Sequence, residues 1–359
     1  MRARVPTIEK QQMRFIENDA LFPSTRFQGS KLKIVDWIWD AIKDLSFDTV
    51  LDAFGGTGSV AYVLKSRGKQ VTYNDVLKFN SYIGTALIEN DQVRLSDQDV
   101  KFLLEKHDNV KYPTFIQDTF KGIYFADQEN RWIDTVATNI ALLDDLYKKA
   151  LAFFALFQAC IIKRPFNLFH RKNLYIRFSD VKRNFGNKTT WDTPFEVHFR
   201  QFVHEANQAV FSNGHKNKAL NLDIFEVEGN FDLVYIDTPY ISSNGTGVDY
   251  LGFYHFLEGL VNYSEWPAMI DYETKHKRLK ATGSVWTDKS KIHFGFDRLF
   301  EKFRDSIFVV SYRADGIPSV DELVALLKRY KTDVQDLKRT AYKYVLSVNN
   351  SAEVLLIAK

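Results

Sequence analysis

Apolar positions along the chain alternate between short unbroken runs and stripes at helical spacing. Ile34, Trp37, Ile38, Ala41 and Ile42 recur at three- and four-residue intervals, which predicts a helix over Lys31–Lys43. Thr49 to Phe54 is β-rich and breaks into Gly55-Gly56-Thr57-Gly58, after which a helix is expected from Ser59 to Ser66. Val71–Tyr73 reads as a second strand ending at Asn74-Asp75, and Leu77–Glu89 as a helix. From residue 91 to 145 the pattern is polar and helical, and Arg131–Ile162 reads as largely helical. Residues 163–220 mix aromatics, Asn and basic residues, with turn signals at Phe185-Gly186-Asn187 and Ser212-Asn213-Gly214. Strand-like runs return at Leu220–Phe225, Phe231–Ile236, Ser306–Ser311 and Ala352–Ala358. The expected architecture is α/β: a Rossmann-like sheet built from residues 1–89 and 220–359, interrupted by a mostly helical insertion over 90–219. The first 25 residues are expected to form an arm with little structure of its own.

Composition narrows the picture. A chain of 359 residues that is 45% hydrophobic and 26% charged can bury sizeable cores and lacks the signature of disorder. Its single cysteine, Cys160, excludes an internal disulfide and a Cys-based zinc cluster, and is expected to pack as a small buried hydrophobe. Met1–Asn18 has no apolar core of a secretory signal, and the longest apolar run, Ala150–Ile162, is too short to cross a bilayer. No membrane partner and no metal are expected, and the expected setting is reducing and cytoplasmic.

Two constellations carry chemistry. Glycines after a first strand allow a tight turn and close approach of a ligand to the backbone, and Asp75, at the tip of the second strand, can accept both hydroxyls of a ribose. Asp52 precedes the turn at the strand end. A carboxylate there repels a pyrophosphate but suits a cationic head such as the amino group of a methionine moiety, which favours S-adenosyl-L-methionine over NAD. The second constellation is the apolar run Phe231–Ile236, which ends in Asp237-Thr238-Pro239-Tyr240. Methylating an exocyclic amine requires that its lone pair be freed from the ring, and two acceptors aimed at the two N–H bonds achieve this. Asp237 supplies one and the Thr238 carbonyl the other, held by the rigid Pro239. Tyr240 is then expected to stack on an extruded base.

With these residues in their order, the chain resembles the alpha-group, Dam-like DNA adenine-N6 methyltransferases over nearly its whole length. Phe27-Gln28-Gly29-Ser30-Lys31 resembles the family's N-terminal cofactor element. Leu51–Ser59, with Asp52, Phe54, Gly55, Gly56 and Gly58, resembles its glycine loop, and Asn74-Asp75 the ribose-binding acid. Asp223-Ile224 resembles the Asp-Phe pair beside the cofactor adenine, with Ile in place of Phe, and Asp237–Tyr240 the catalytic tetrapeptide, with Thr in place of the first Pro. Arg171–Phe195 resembles the target-recognition segment. The resemblance implies a Rossmann-like methyltransferase sheet, site-specific methylation of adenine N6 in double-stranded DNA, S-adenosyl-L-methionine as cofactor, and the modification half of a restriction-modification system, with a cognate restriction endonuclease as a candidate partner.

Charge is uneven. Residues 160–219 hold 11 Lys or Arg against 4 acids, a net +7, whereas the whole chain is only +3. A phosphate-contacting surface is therefore expected there. Arg164, Arg171, Lys172, Asn173, Arg183, Asn187 and Lys188 are the candidate DNA contacts. Methyl transfer to RNA or a protein amide, a non-catalytic nucleic-acid-binding relative, and a nucleotide-dependent oxidoreductase stand as alternatives. The long basic insertion, the intact Asp237 and Asp52, respectively, argue against them.

Overall fold

Strands covered by helices on both faces must be apolar on both faces, and the central strands here are. The computed structural model describes residues 21–179, 188–242, 245, 247–342 and 351–359. In chain order its strands are Thr49–Asp52 (β1), Gln70–Asn74 (β2), Lys218–Leu220 (β3), Leu233–Ile236 (β4), Ile241–Ser242 (β5), Ile307–Arg313 (β6), Gly316–Ile317 (β7), Val334–Tyr342 (β8) and Ser351–Ala358 (β9). Seven form one sheet in the order β3-β2-β1-β4-β6-β9-β8, and β5 pairs with β7 apart from it. The first five are mutually parallel; β9 runs antiparallel between β6 and β8. The chain leaves β1 toward one edge and returns through β4 on the other side. This reversal of strand order opens a crevice at the carboxyl ends of β1 and β4, where open α/β sheets bind ligands.

The helix Ser59–Ser66 forms where expected, and the first stripe forms as a 3₁₀ turn, Lys31–Lys33, followed by Val35–Ile42. The expected helix after β2 is Lys78–Gly84, continuing as a wider π turn over Thr85–Glu89. Arg131–Ile162 is two helices, Asp127–Ala141 and Leu146–Ile162. They part where Asp145 accepts the N–H groups of Tyr147 and Lys148 (2.8 and 3.0 Å), a strong helix-starting contact. The second is apolar on every side, and each residue from Ala150 to Ile162, Cys160 included, is buried. Phe157 meets Phe79 edge-on at 5.8 Å, so this helix shares one core with the helix after β2.

One expectation needs correction and two points add to the picture. The run Leu220–Phe225 is a strand only to Leu220; Asp223 accepts the N–H of Phe225 (2.9 Å) and turns Ile224–Glu226 into a 3₁₀ helix. β8 was not anticipated, because its residues show no alternation; it lies at the sheet edge, and Gln335, Asp336 and Leu337 are exposed in succession, so no buried face imposes a period of two on them. Of the expected N-terminal arm, residues 1–20 lie outside the described residues, but Phe22 is buried edge-on to Tyr62 at 5.1 Å and Ser24 bonds Glu205. Among the described residues no helix is long and apolar enough to cross a membrane.

Candidate active site

The turn after β1 is built on the ring beneath it. Gly56 and Gly58 have φ of +51° and +73°, and Gly55 donates its N–H to the Asn74 carbonyl (2.8 Å). A Cβ on Gly55 would lie 2.0 Å from Tyr73 Cε2, and the Tyr73 hydroxyl donates to the Gly56 carbonyl (2.7 Å). Gly55 is thus required by the close approach of a β2 side chain, and Gly58 by the left-handed start of the helix Ser59–Ser66. Gly55→Ala is expected to cost about 3 kcal/mol of stability by overpacking. Urea unfolding checks this, and the double variant with Tyr73→Leu should be less destabilised than the two single losses combined. A Gly55→Ala protein of parental stability would contradict the packing described.

Above the turn lies a cavity of about 640 Å³, within the range of cofactor sites. It brings together Phe27, Lys31, Asp52, Phe54, Gly55, Gly56, Asn74, Asp75, Asp223, Ile224, Asp237 and Pro239, drawn from five separate stretches of sequence. Asn74 ties β2 to its neighbours, donating to the carbonyls of Ala53 and Leu222 and accepting the Leu222 N–H. Asp75 accepts from the N–H groups of Gly56 and Leu77 and the Asn80 amide (3.0, 2.8 and 3.0 Å).

Three carboxylates converge here, and two of them raise the third. Asp52 is buried at 1% exposure, and neither of its oxygens meets a well-aligned donor. Burial, then the charges of Asp237 and Asp75, push it up to about 8, against a smaller opposing pull from the nearby N–H groups of Ala61 and Phe54. Asp75 rises to about 6 by burial, opposed by its three donors. Asp237 also rises to about 6: burial dominates, Lys31 lowers it and Glu353 raises it. Lys31 stands 3.2 Å from Asp237 Oδ1 and 2.9 Å from Glu353 Oε1, so its charge is held by the end of β4 and by β9. A cavity with a buried, unpartnered carboxylate is matched to a cationic ligand, and a methyl donor carrying an ammonium and a sulfonium group fits it.

Several expectations change. Tyr240 does not offer a face to an extruded base: its ring is buried edge-on to Tyr312 at 5.7 Å, outside the cavity lining. Its hydroxyl accepts from Lys31 and donates to Asp237, which pulls the ring inward. Thr238 is likewise buried, and neither it nor Gly58 lines the cavity. Arg164 and Asn173 are buried and do not present a surface to DNA. The Arg164 guanidinium donates to the carbonyls of Leu168, Tyr124 and Arg171 (3.2, 3.0 and 3.1 Å) and to the Asn173 side chain, so it organises the local chain. Lys163 and Arg177 are spent on Glu129, each at 2.7 Å. Arg171, Lys172 and Lys188 are exposed. Arg183 and Asn187 lie outside the described residues.

Other residues of the site were not anticipated. Glu258 lines the cavity and accepts the N–H groups of Lys78 and Phe79 (3.2 and 3.0 Å). Tyr250, Tyr254 and Trp286 supply aromatic wall, with Trp286 edge-on to Phe54 at 4.9 Å. The available signal for Glu258 was an acid inside the apolar run Tyr250–Val261; for Trp286 there was none.

With this geometry in hand, the relatives are informative. The family model described as D12 class N6 adenine-specific DNA methyltransferase matches residues 27–262. Type II methyltransferase M2.HphI of Haemophilus parahaemolyticus is 31% identical over 320 residues, covering 87% of this chain and 89% of that protein. Modification methylase LlaI of Lactococcus lactis subsp. lactis is 25% identical over 91% of this chain, which spans only 52% of that longer protein. Type II methyltransferase M.CviAII of Paramecium bursaria Chlorella virus 1 is 22% identical, with 91% and 96% covered.

Proposed function

Because the chain belongs to the D12 class of N6 adenine-specific DNA methyltransferases, which use a methyl donor of the S-adenosylmethionine type, we propose how its residues divide the work. The donor is S-adenosyl-L-methionine itself. Asp52 receives its ammonium group, Asp75 its ribose, and Phe27 with Asp223 and Ile224 borders its adenine. When bound, the donor supplies a methyl group already activated by a positively charged sulfur. The single observation that carries this reading is that Asp52, Asp75 and Asp237 open into one cavity at the crevice between β1 and β4.

At that cavity, Asp237 accepts one N–H of the target adenine amine and draws the nitrogen lone pair out of the ring; the Thr238 carbonyl, which lies behind the cavity lining, becomes the second acceptor only once the base is seated. Asp237 titrates near 6, so it is ionised at neutral pH and can hold the positive charge that grows on nitrogen and then take its proton. Tyr240 and Lys31 steady the carboxylate from behind. Positioning and electrostatics supply most of the rate.

The region 90–219 is the target-recognition part, with the exposed Arg171, Lys172 and Lys188 on the phosphates of duplex DNA. The enzyme is the modification partner of a restriction endonuclease. The test is to incubate a plasmid with the protein and S-adenosyl-L-methionine, digest it to nucleosides and sequence the modified positions. N6-methyladenine confined to one short recurring sequence is expected. Methylated cytosine alone, or methyl groups on RNA or protein but not on the duplex, would overturn the reading.

A further inference from the structure

Glu353 is fully buried on β9, in a run whose following residues Val354 to Ala358 are all buried and apolar. Its Oε1 accepts from Ser311 Oγ on β6 at 2.6 Å and stands 2.9 Å from Lys31 Nζ. Lys31 lies 3.2 Å from Asp237 Oδ1 and donates to the Tyr240 hydroxyl, which in turn donates to Asp237. A carboxylate on β9, three strands from β1 and its glycine turn in sheet order, is thereby wired to the reactive one through a buried lysine. Charges buried in this way are costly to keep, and packed hydrophobes at such positions are often neutral or stabilising for the fold. Stability is therefore a poor reason for Glu353.

Chemistry offers a better one. With Asp237 alone, Lys31 would form a one-to-one pair that cancels the charge facing the cavity. With Glu353 present, the lysine is shared, and the group Lys31–Asp237–Glu353 carries a net negative charge. We infer that Glu353, seated by Ser311, is a positioning residue for methyl transfer: it draws Lys31 off Asp237, so that the ionised Asp237 is less neutralised by the lysine and is a stronger acceptor for the adenine amine. This rests on the reading above that Asp237 holds that amine. The groups facing Asp237 are Lys31 from the N-terminal turn, Glu353 from β9, Tyr240 beyond β4, Tyr235 on β4 and Asp52 at the end of β1.

The test is the single-turnover rate of N6-methyladenine formation across pH for Glu353→Gln, at saturating donor. The rate requires ionised Asp237 and so rises with pH through its titration. Removing an anion that raises Asp237 moves this acid limb to lower pH, by about half a unit or more. The plateau above it falls about tenfold, because Asp237 is held more tightly by Lys31 and is a weaker acceptor. Glu353→Asp, which keeps the charge, restores the limb to its parental position. Donor affinity stays within about threefold in both.

A parental plateau and limb for Glu353→Gln overturns the inference, and so does a lower plateau with an unmoved limb, which marks a purely structural loss. Should Glu353→Gln fail to fold, Ser311→Ala frees Glu353 from its anchor: a plateau about threefold lower supports the inference, and a parental plateau overturns it. Asp237→Ala run in parallel separates the two levels. If it stays active, the underlying reading fails; if it is inactive while the Glu353 and Ser311 variants are parental, only this inference fails.

Discussion

Asp52→Asn is expected to bind the methyl donor at least about a hundredfold more weakly than the parent chain, and yet to melt at a higher temperature when no donor is present. Both effects come from one observation. The Asp52 carboxylate is buried without a well-aligned donor and is raised to about 8 by burial and by its two acidic neighbours. A ligand ammonium relieves that burial, and losing such a contact costs about 3 kcal/mol, or roughly a hundredfold in affinity. The sign of the stability effect follows from proton binding. In the unfolded chain Asp52 loses its proton near pH 3.9, but in the donor-free fold it keeps the proton to about pH 8. The native state therefore holds more protons between these values, and stability falls as pH rises through that window, levelling off above 8. Asn carries no such loss. Its advantage, about 2 to 5 °C, should be present at pH 8.5 and vanish toward pH 4. Isothermal titration and thermal melts at both pH values check the pair of effects. Parental donor affinity, or a lower melting temperature at pH 8.5, would contradict the role given to Asp52. Parental donor affinity should itself rise with pH up to about 8, since a proton competes with the ligand cation.

The parts of the site that ended strands were legible in the sequence. Asp52, Asp75 and Asp237 each follow a short apolar run, and parallel strands bring such ends together whatever lies between them. The helix Ser59–Ser66 was equally clear, because Gly58 breaks the chain just before its apolar stripe. What could not be read depended on contacts between distant residues. Arg164 and Asn173 sit in a basic, aromatic stretch that resembles a DNA surface, but carbonyls of Tyr124 and Leu168 draw the guanidinium inside. With Lys163 and Arg177 on Glu129 as well, part of the apparent positive face is internal pairing. Tyr240 follows a rigid proline and could turn either way; Lys31, 209 residues earlier, helps turn it inward. Glu258 and Glu353 were visible only as acids in apolar runs, which marks a buried charge without naming its partner.

Asp237→Ala is expected to lower methyl transfer by about a thousandfold or more while the fold and donor binding survive. Asp237 is the acceptor that frees the adenine lone pair and receives the proton, so both orientation and electrostatic stabilisation leave with it. Lys31 retains Glu353 as its ion partner at 2.9 Å, so the variant does not strand a buried cation. Removing a neighbour that raises Asp52 should, if anything, ionise Asp52 more readily and hold the donor at least as well. The decisive measurement is the single-turnover rate at which Asp237→Ala forms N6-methyladenine in duplex DNA, with donor at a concentration shown by titration to saturate the variant. A rate about a thousandth of the parent's or less, at donor affinity within about threefold, is the expected result; a rate within tenfold of the parent's would contradict the assignment of Asp237 as the group that holds the target amine.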